Sequence, residues 1–177
     1  ARFHPVIDRG AAALHAEGLT RGDRLALLSH NCWQYPVLNF ATARLGVVLV
    51  PVNFMLTGGE IGYILDDCAA DAFVVADALV PVAETALRES KRSVLVRAGF
   101  PLARAGVPDG WLSVAGWTDG AVASPPEVFV ADDDVVRIMY TSGTESRPKG
   151  AVLTSRSLMG QYISCIVTGG MRREGVE

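Results

Sequence analysis

The fold of this chain is set by residues 47–76, VVLVPVNFMLTGGEIGYILDDCAADAFVVA. The β-branched run at 47–52 predicts a buried parallel strand, and the apolar residues 73–76 predict another. Between them, Thr57 and Glu60 have the spacing of a capping box, which marks the start of a helix. Apolar residues follow at helical spacing, namely Ile61, Ile64, Leu65 and Cys68. The stretch therefore predicts a strand–helix–strand unit.

The segment before this unit shows the same alternation. A helical pattern ends near Gly18, and residues 25–28 form a short apolar run typical of a strand. Asn31 is the expected N-cap of the next helix, with Gln34 as its capping-box partner. That helix is expected to end near Gly46 and to turn four apolar side chains inward, namely Val37, Phe40, Ala41 and Leu45.

The segment after the unit continues the pattern and then loses it. Residues 79–90 predict a helix and residues 93–96 a fourth strand. Glycine, proline and short apolar pieces make 99–134 an irregular segment, and a strand is expected again at 135–140. Repeated strand–helix–strand units imply right-handed crossovers. The predicted fold is therefore α/β, with a mainly parallel sheet and helices on both faces.

Composition excludes several classes of partner. A formal net charge of −3 over 177 residues gives no basic field for nucleic acid or an anionic membrane. No apolar run approaches the roughly 18 residues of a transmembrane segment, and no signal-peptide core is present, so we expect a cytoplasmic protein. A hydrophobic fraction of 50% suggests that some surface is covered, by further sequence or by a second copy in a homo-oligomer.

Two groups of residues that could suggest metal binding are interpreted otherwise. The cysteines Cys32, Cys68 and Cys165 are widely spaced, each in an apolar stretch, which predicts reduced core residues. The acidic run 132–134 precedes a predicted strand and is interpreted as a solvated turn.

The stretch YTSGTESRPKG, residues 140–150, predicts a phosphate-binding loop. Small residues let the backbone approach a ligand, and hydroxyl and N–H groups supply the donors that an anion needs. A Walker A loop would require glycine in place of Pro148 and Ser or Thr in place of Gly150. Its helix would also begin at the lysine, whereas here a short strand at 151–153 comes first and the helix begins at Thr154 or Ser155. The loop is therefore not that of an ordinary P-loop NTPase.

The loop instead resembles the signature of the acyl-adenylating superfamily, which includes acyl-CoA synthetases, luciferases and peptide-synthetase adenylation domains. That signature has the form Tyr-Thr-Ser-Gly-Thr-Thr-Gly-x-Pro-Lys-Gly, followed by an apolar strand and Thr-His-Arg. The residues retained here are Tyr140 through Thr144, Pro148, Lys149, Gly150, Thr154 and Arg156. The departures are Glu145, Ser146 and Ser155.

Upstream segments extend the resemblance. Residues 22–27 are similar to the family's Gly-Asp-Arg-Val strand entry, residues 43–53 to its Gly-Ala-Val-x-Val-Pro-x-Asn segment, and residues 60–66 to its Glu-Leu-x-Tyr-Ile-Leu-x-Asp helix. Within the superfamily, the sequence of these segments is most similar to that of fatty-acyl and related acyl-CoA ligases. Residues 1–177 are then expected to be part of the N-terminal AMP-binding domain, without the C-terminal domain.

The resemblance implies a two-step reaction. A carboxylic acid, fatty or otherwise apolar, attacks the α-phosphorus of ATP to give acyl-AMP and pyrophosphate. The thiol of coenzyme A then takes the acyl group, and Mg²⁺ accompanies ATP. This segment alone is expected to be inactive, because the family features that bind adenine, ribose and the acid fall outside it.

The resemblance also implies roles within the loop. The residues assigned to the ATP phosphates are Thr141, Ser142, Gly143, Thr144, Glu145, Ser146 and Lys149. Lys149 is expected to neutralise the phosphates and Thr141 to contact Mg²⁺. The carboxylate of Glu145 would repel a polyphosphate unless it turns to solvent, pairs with Arg147 or helps to hold the metal.

A phosphate-binding NTPase, which would release phosphate without any carboxylic acid, is one alternative, and two others remain open at this point. One is an adenylating enzyme for an amino or aryl acid that loads a carrier protein. The other is a non-catalytic nucleotide-binding module, an interpretation that the three departures from the signature keep possible.

Overall fold

The structure, a computed structural model, describes residues 3–102, 106–119, 124–141 and 147–169. The helices are α1 (Phe3–Ala16), α2 (Gln34–Leu45), α3 (Gly58–Asp67), α4 (Val80–Glu89), α5 (Val114–Asp119) and α6 (Ser155–Gly169). The strands are β1 (Arg24–Leu28), β2 (Val48–Val52), β3 (Ala72–Ala76), β4 (Val96–Phe100), β5 (Leu112–Ser113), β6 (Val135–Thr141) and β7 (Lys149–Thr154).

Within the described residues, the strands form one sheet in the order β5-β4-β3-β1-β2-β6-β7. Every neighbouring pair is parallel except β6 and β7, which form an antiparallel hairpin. The prediction of a mainly parallel α/β sheet is confirmed. The hairpin exists because the segment between β6 and β7 is too short for the crossover that a parallel connection requires.

Helices cover both faces of the sheet. In β1, Leu25 and Leu27 point into a core shared with α1, α2 and α5, whereas Ala26 and Leu28 point into a second core shared with α3 and α4. Because successive residues of a strand face opposite sides, a strand buried on both faces reads as a continuous apolar run. The continuous apolar runs in the sequence are therefore explained by burial of both faces of the strands.

Helix α3 is fixed more firmly than a ten-residue helix would be alone. The Thr57 side chain accepts from the Glu60 N–H, and the Glu60 carboxylate accepts from the Thr57 N–H at 2.8 Å, so the predicted capping box is confirmed. A Cβ added to Gly62 would lie 3.0 Å from the Ala86 carbonyl oxygen, so α3 and α4 approach each other closely at this glycine.

Two predictions about α2 are wrong. Helix α2 begins at Gln34 with Trp33 as N-cap and no side-chain capping bond, so Asn31 does not cap it. Phe40 is 46% exposed, whereas Leu38 is buried. Each residue of a helix advances by about 100°, which places Phe40 well off the face that Gln34, Leu38 and Leu45 bury.

The fourth strand starts later than expected. Strand β4 covers Val96–Phe100, while the N–H groups of Leu95 and Val96 both donate to the Asp71 carbonyl oxygen. Residues 93–95 therefore connect α4 to the sheet, and Leu95 is 82% exposed. The end of β4, together with β5 and α5, gives regular structure to part of the segment predicted to be irregular.

Helix α6 begins at Ser155, in agreement with the prediction, but buries no residue. Its apolar side chains are solvent-exposed, including Tyr162, Ile163 and Ile166. Cys165 is exposed as well, so its assignment as a core residue is wrong, whereas Cys68 is buried. None of the helices in the described ranges has the length and apolar character required to cross a membrane.

Candidate functional site

Thr141 and Lys149 lie opposite each other at the end of the β6–β7 hairpin. They are paired Cα partners in the antiparallel register, and both side chains are exposed. The hairpin therefore brings together the two ends of the predicted phosphate loop. The other five predicted site residues lie outside the described residues, namely Ser142, Gly143, Thr144, Glu145 and Ser146.

The loop leaves the sheet at its carboxyl edge. Strand β6 runs parallel to β2, with Leu49 opposite Arg137, so the end of β6 and the ends of β1, β2 and β3 point the same way. In open α/β sheets this is the edge at which ligands bind. A cavity of about 460 Å³ at the opposite edge is lined by Arg24, Val48 and Val135, which begin their strands, so it is separate from the loop.

Two tyrosines share one carboxylate beside the hairpin. The Tyr140 hydroxyl donates to Oδ2 of Asp67 at 2.6 Å, and the Tyr63 hydroxyl donates to Oδ1 at 3.2 Å. Partial burial, followed by the interaction with Asp67, raises the pKa of Tyr140 above its ordinary value. Both effects also raise the pKa of Tyr63. The phenols therefore stay protonated at neutral pH and act as donors.

Arg147, on the other side of the loop, contacts Tyr63. Its guanidinium carbon lies 5.2 Å from the centroid of the Tyr63 ring, within the range of a cation–π interaction. Arg147 and Pro148 also line a cleft of about 320 Å³ together with Tyr63 and Lys91. The cations Arg147 and Lys149 thus flank the downstream end of the loop.

Gly150 makes room for the Tyr140 ring. The two residues are opposite each other in the hairpin. A Cβ at position 150 would lie 3.1 Å from Cζ and 3.3 Å from the hydroxyl oxygen of Tyr140, and 2.8 Å from Cγ2 of Ile138. The glycine therefore permits the close approach that the Tyr140 side chain makes across the hairpin.

The sequence analysis did not identify Tyr63 and Asp67 as site residues. They are four positions apart in α3, so they lie on one face of the helix, and that face is not the one that Ile61, Ile64 and Leu65 bury. Their i, i+4 spacing on the face opposite the buried one was the available signal. The pairing with Tyr140, 73 positions away, could not be read from local sequence.

The described residues at the hairpin end suit a phosphate group. Lys149 supplies a point charge, Arg147 a guanidinium and Thr141 a hydroxyl, the groups that bind phosphate oxygens. Mg²⁺ keeps several waters and is held by few protein oxygens plus substrate phosphates, so the single hydroxyl of Thr141 is compatible with it. Among the residues that the structure describes, no cluster of three or more His, Cys, Asp or Glu side chains could hold a metal alone.

The acidic run is a turn at the base of the hairpin. Arg156 forms ion pairs with Asp132 at 3.2 Å and with Asp133 at 3.7 Å, all of them well exposed. The third carboxylate, that of Asp134, pairs with Arg21 at 2.6 Å. The solvated-turn interpretation is correct for Asp132 and Asp133, whereas Asp134 connects the start of β6 to the turn before β1.

The chain matches the AMP-binding enzyme family over residues 2–175. It belongs to that family. The resemblance inferred from the sequence is therefore confirmed at the level of the family.

Proteins similar to this chain are named for different acids and for different acceptors of the acyl group. The long-chain-fatty-acid–CoA ligase FadD13 of Mycobacterium tuberculosis is 33% identical over 161 residues, which cover 89% of this chain and 30% of that protein. The fatty acid–[acyl-carrier-protein] ligase ScoC of Streptomyces coeruleorubidus is 34% identical, with 88% of this chain and 28% of that protein covered. A feruloyl-CoA synthase of Amycolatopsis is 35% identical, with 91% and 29% covered.

A solved structure agrees with the fold. A long-chain-fatty-acid CoA ligase from Rhodopseudomonas palustris superimposes with a TM-score of 0.79 at 25% identity, covering 96% of this chain and 41% of that one. The chain thus spans less than half of that structure and about 30% of the length of FadD13.

Proposed function

We propose that this AMP-binding family member provides the ATP phosphate site of a ligase that activates a carboxylic acid. The observation that carries the proposal is the pairing of Thr141 with Lys149 at the carboxyl edge of the sheet. The reaction joins the acid and ATP to form acyl-AMP and pyrophosphate, and a thiol then takes the acyl group while AMP and the thiol proton are released. The chain would then act as part of an N-terminal domain.

In this proposal the loop and the two residues at its ends, Thr141 and Lys149, stabilise the negative charge of the ATP phosphates. Attack at the α-phosphorus places charge on the leaving pyrophosphate, so fixed cations and donors give most of the stabilisation. Lys149 neutralises the phosphates, Ser142, Gly143, Thr144 and Ser146 donate to them, and Thr141 contacts Mg²⁺. When bound, Mg²⁺ would neutralise phosphate charge.

The proposed acid is fatty or otherwise apolar and the proposed acceptor is coenzyme A, which are the partners named for FadD13. A second candidate is an aryl acid or a carrier-protein acceptor, because the feruloyl-CoA synthase and ScoC are as similar to this chain as FadD13 is. Acyl transfer by the full-length protein, measured with a panel of acids and both acceptors, separates the two candidates. A non-catalytic module would bind ATP without any acid-dependent turnover.

The proposal predicts that Lys149→Ala weakens ATP binding. Loss of a charged contact corresponds to about tenfold or more in Kd. Calorimetric titration of the 177-residue chain with Mg·ATP measures the change. Arg88→Ala is the matched control, because Arg88 is an α4 residue with the same charge whose guanidinium donates to Thr85. Equal affinity in wild type and Lys149→Ala would refute the phosphate role.

We also predict that the 177-residue chain alone does not catalyse adenylation. The described site supplies groups for phosphate, and the proposal assigns adenine, ribose and acid recognition to other parts of a protein as long as its relatives. ATP–pyrophosphate exchange measured with a panel of carboxylic acids checks this. Acid-dependent exchange by the isolated chain would contradict the prediction.

A further inference from the structure

The Asp67 carboxylate is the meeting point of α3 and the β6–β7 hairpin. It accepts the Tyr140 hydroxyl at 2.6 Å and the Tyr63 hydroxyl at 3.2 Å, one on each oxygen. Tyr140 is the residue immediately before Thr141 in β6. The carboxylate therefore holds the strand next to the position where the predicted phosphate loop begins.

Helix α3 also contacts the other end of the loop. Arg147 lies over the ring of Tyr63 at 5.2 Å, two positions before Lys149. Tyr63 thus uses its hydroxyl on Asp67 and its ring face on Arg147. Residues on both sides of the loop are bound to a single helical turn.

The last turn of α3 is itself held in place by hydrogen bonds to the residues that follow α4. The next carboxylate along the helix, Asp66, accepts the Ser90 hydroxyl at 2.6 Å and the backbone N–H groups of Lys91 at 3.0 Å and Arg92 at 3.1 Å. These bonds join the end of α3 to the end of α4. Asp66 and Asp67 are therefore adjacent carboxylates with separate tasks, one facing α4 and the other facing the hairpin.

The bonds of Asp67 have little to contribute to global stability. Asp67 is exposed and Tyr63 and Tyr140 are only partly buried, and polar pairs in contact with water are worth little to folding. The bond between Tyr140 and Asp67 has a larger effect on the position of the hairpin end, because Tyr140 is opposite Gly150 and Thr141 is opposite Lys149. A shift of the Tyr140 side chain would displace both ends of the loop.

We propose that Asp67 is a positioning residue that, through Tyr140, holds Thr141 and Lys149 in the arrangement that binds the phosphates of ATP. This inference rests on the proposed function. It adds a residue outside the loop on which phosphate affinity depends. It also assigns Tyr63 as the link through which Arg147 joins the same arrangement.

The test compares Tyr140→Phe and Asp67→Asn with wild type. Tyr140→Phe deletes only the hydroxyl, and Asp67→Asn removes the charge with little change in shape. Each is expected to speed amide exchange across residues 139–151, measured by mass spectrometry without ligand, and to weaken Mg·ATP binding by up to about fivefold, because an exposed polar pair can bias the hairpin by no more than about 1 kcal/mol. The double variant should bind no more weakly than the weaker single variant, because the Tyr140 hydroxyl is proposed to act only through its bond to Asp67.

Asp66→Asn is the matched control. It alters the adjacent carboxylate, so it should lower the urea midpoint through the α3–α4 contact while leaving exchange at 139–151 and ATP affinity unchanged. A merely structural role for Asp67 would give the same pattern as Asp66→Asn and would overturn the inference.

The two proposals fail in different ways. Exchange in the hairpin is measured without ATP, so unchanged exchange in Tyr140→Phe and Asp67→Asn overturns the positioning role even if Lys149→Ala weakens ATP binding. Faster exchange with unchanged ATP affinity also overturns it. If wild type binds no ATP at all, the proposed function of this chain fails, and the positioning role fails with it.

Discussion

Gly150 shows how one missing side chain shapes the site. Its position opposite Tyr140 leaves no room for a Cβ, which would lie 3.1 Å from Cζ of that ring. We predict that Gly150→Ala displaces the Tyr140 ring, weakens its bond to Asp67 and lowers Mg·ATP affinity.

A second glycine provides the control for that prediction. Gly160 lies within α6 and has no atom within 4 Å of an added Cβ. Alanine there is expected to stabilise the helix by up to about 1 kcal/mol, with ATP affinity unchanged. Tyrosine absorbance follows the environment of Tyr140, and calorimetric titration measures the Mg·ATP affinity of each variant. If Gly150→Ala and Gly160→Ala gave the same absorbance and the same affinity, crowding at position 150 would have no consequence.

The cysteines show which residue-scale inferences local sequence supports. Cys68 follows Ile61, Ile64 and Leu65 at helical spacing, and burial raises the pKa of its thiol to about 11. Cys165 lies in an equally regular pattern but is exposed, because none of the residues of α6 is buried within the described part of the chain. Periodicity identifies which residues share a face, and only tertiary structure decides whether that face is covered.

At the scale of elements, the capping box of α3 supports the helix on which the tyrosine pair depends. We predict that Thr57→Ala lowers the free energy of unfolding by about 1 kcal/mol, because the Glu60 N–H loses its acceptor. Urea unfolding at constant m-value measures the loss. Thr57→Ser keeps the hydroxyl and should remain near wild type, and a comparable loss in that variant would argue against capping as the cause.

Elements with strong local signals were predictable from sequence. The capping box of α3, the glycine after α2 and the apolar runs of β1, β2 and β3 all act through neighbouring residues. The starts of α2 and β4 were missed because other contacts fix them, among them the Asp71 carbonyl oxygen that accepts from Val96. The loop sequence identified the hairpin site, but Tyr63 and Asp67 join it through contacts that span dozens of residues.

At the scale of the molecule, an ion pair joins the residue before β6 to the turn before β1. The Arg21 guanidinium, followed by the Ala131 N–H, holds the pKa of Asp134 below its ordinary value. A lowered folded-state pKa gives stability that is complete above the unfolded value of about 4 and is lost as pH falls through the folded one. Hydrogen bonds from Thr57 lower the pKa of Glu60 and contribute in the same window.

We therefore predict acid sensitivity that depends on Asp134. Urea midpoints of wild type should fall as the pH decreases below about 4, and Asp134→Asn should show a smaller fall because it has no proton to take up. Asp133→Asn is the control, since Asp133 is 90% exposed and its nearest cation lies 3.7 Å away. Parallel pH profiles for wild type and Asp134→Asn would contradict the role of this pair.

The two edges of the sheet are unequal, and this decides where further backbone pairing could occur. One edge is β5, only two residues long, and the other is β7, six residues long, with no further strand beside it in the described residues. An open edge of that length can template the addition of another extended segment, whereas a two-residue edge is blunted. Among the described residues, β7 is therefore the edge at which an extended segment could add to the sheet, whereas β5 offers only two residues for pairing.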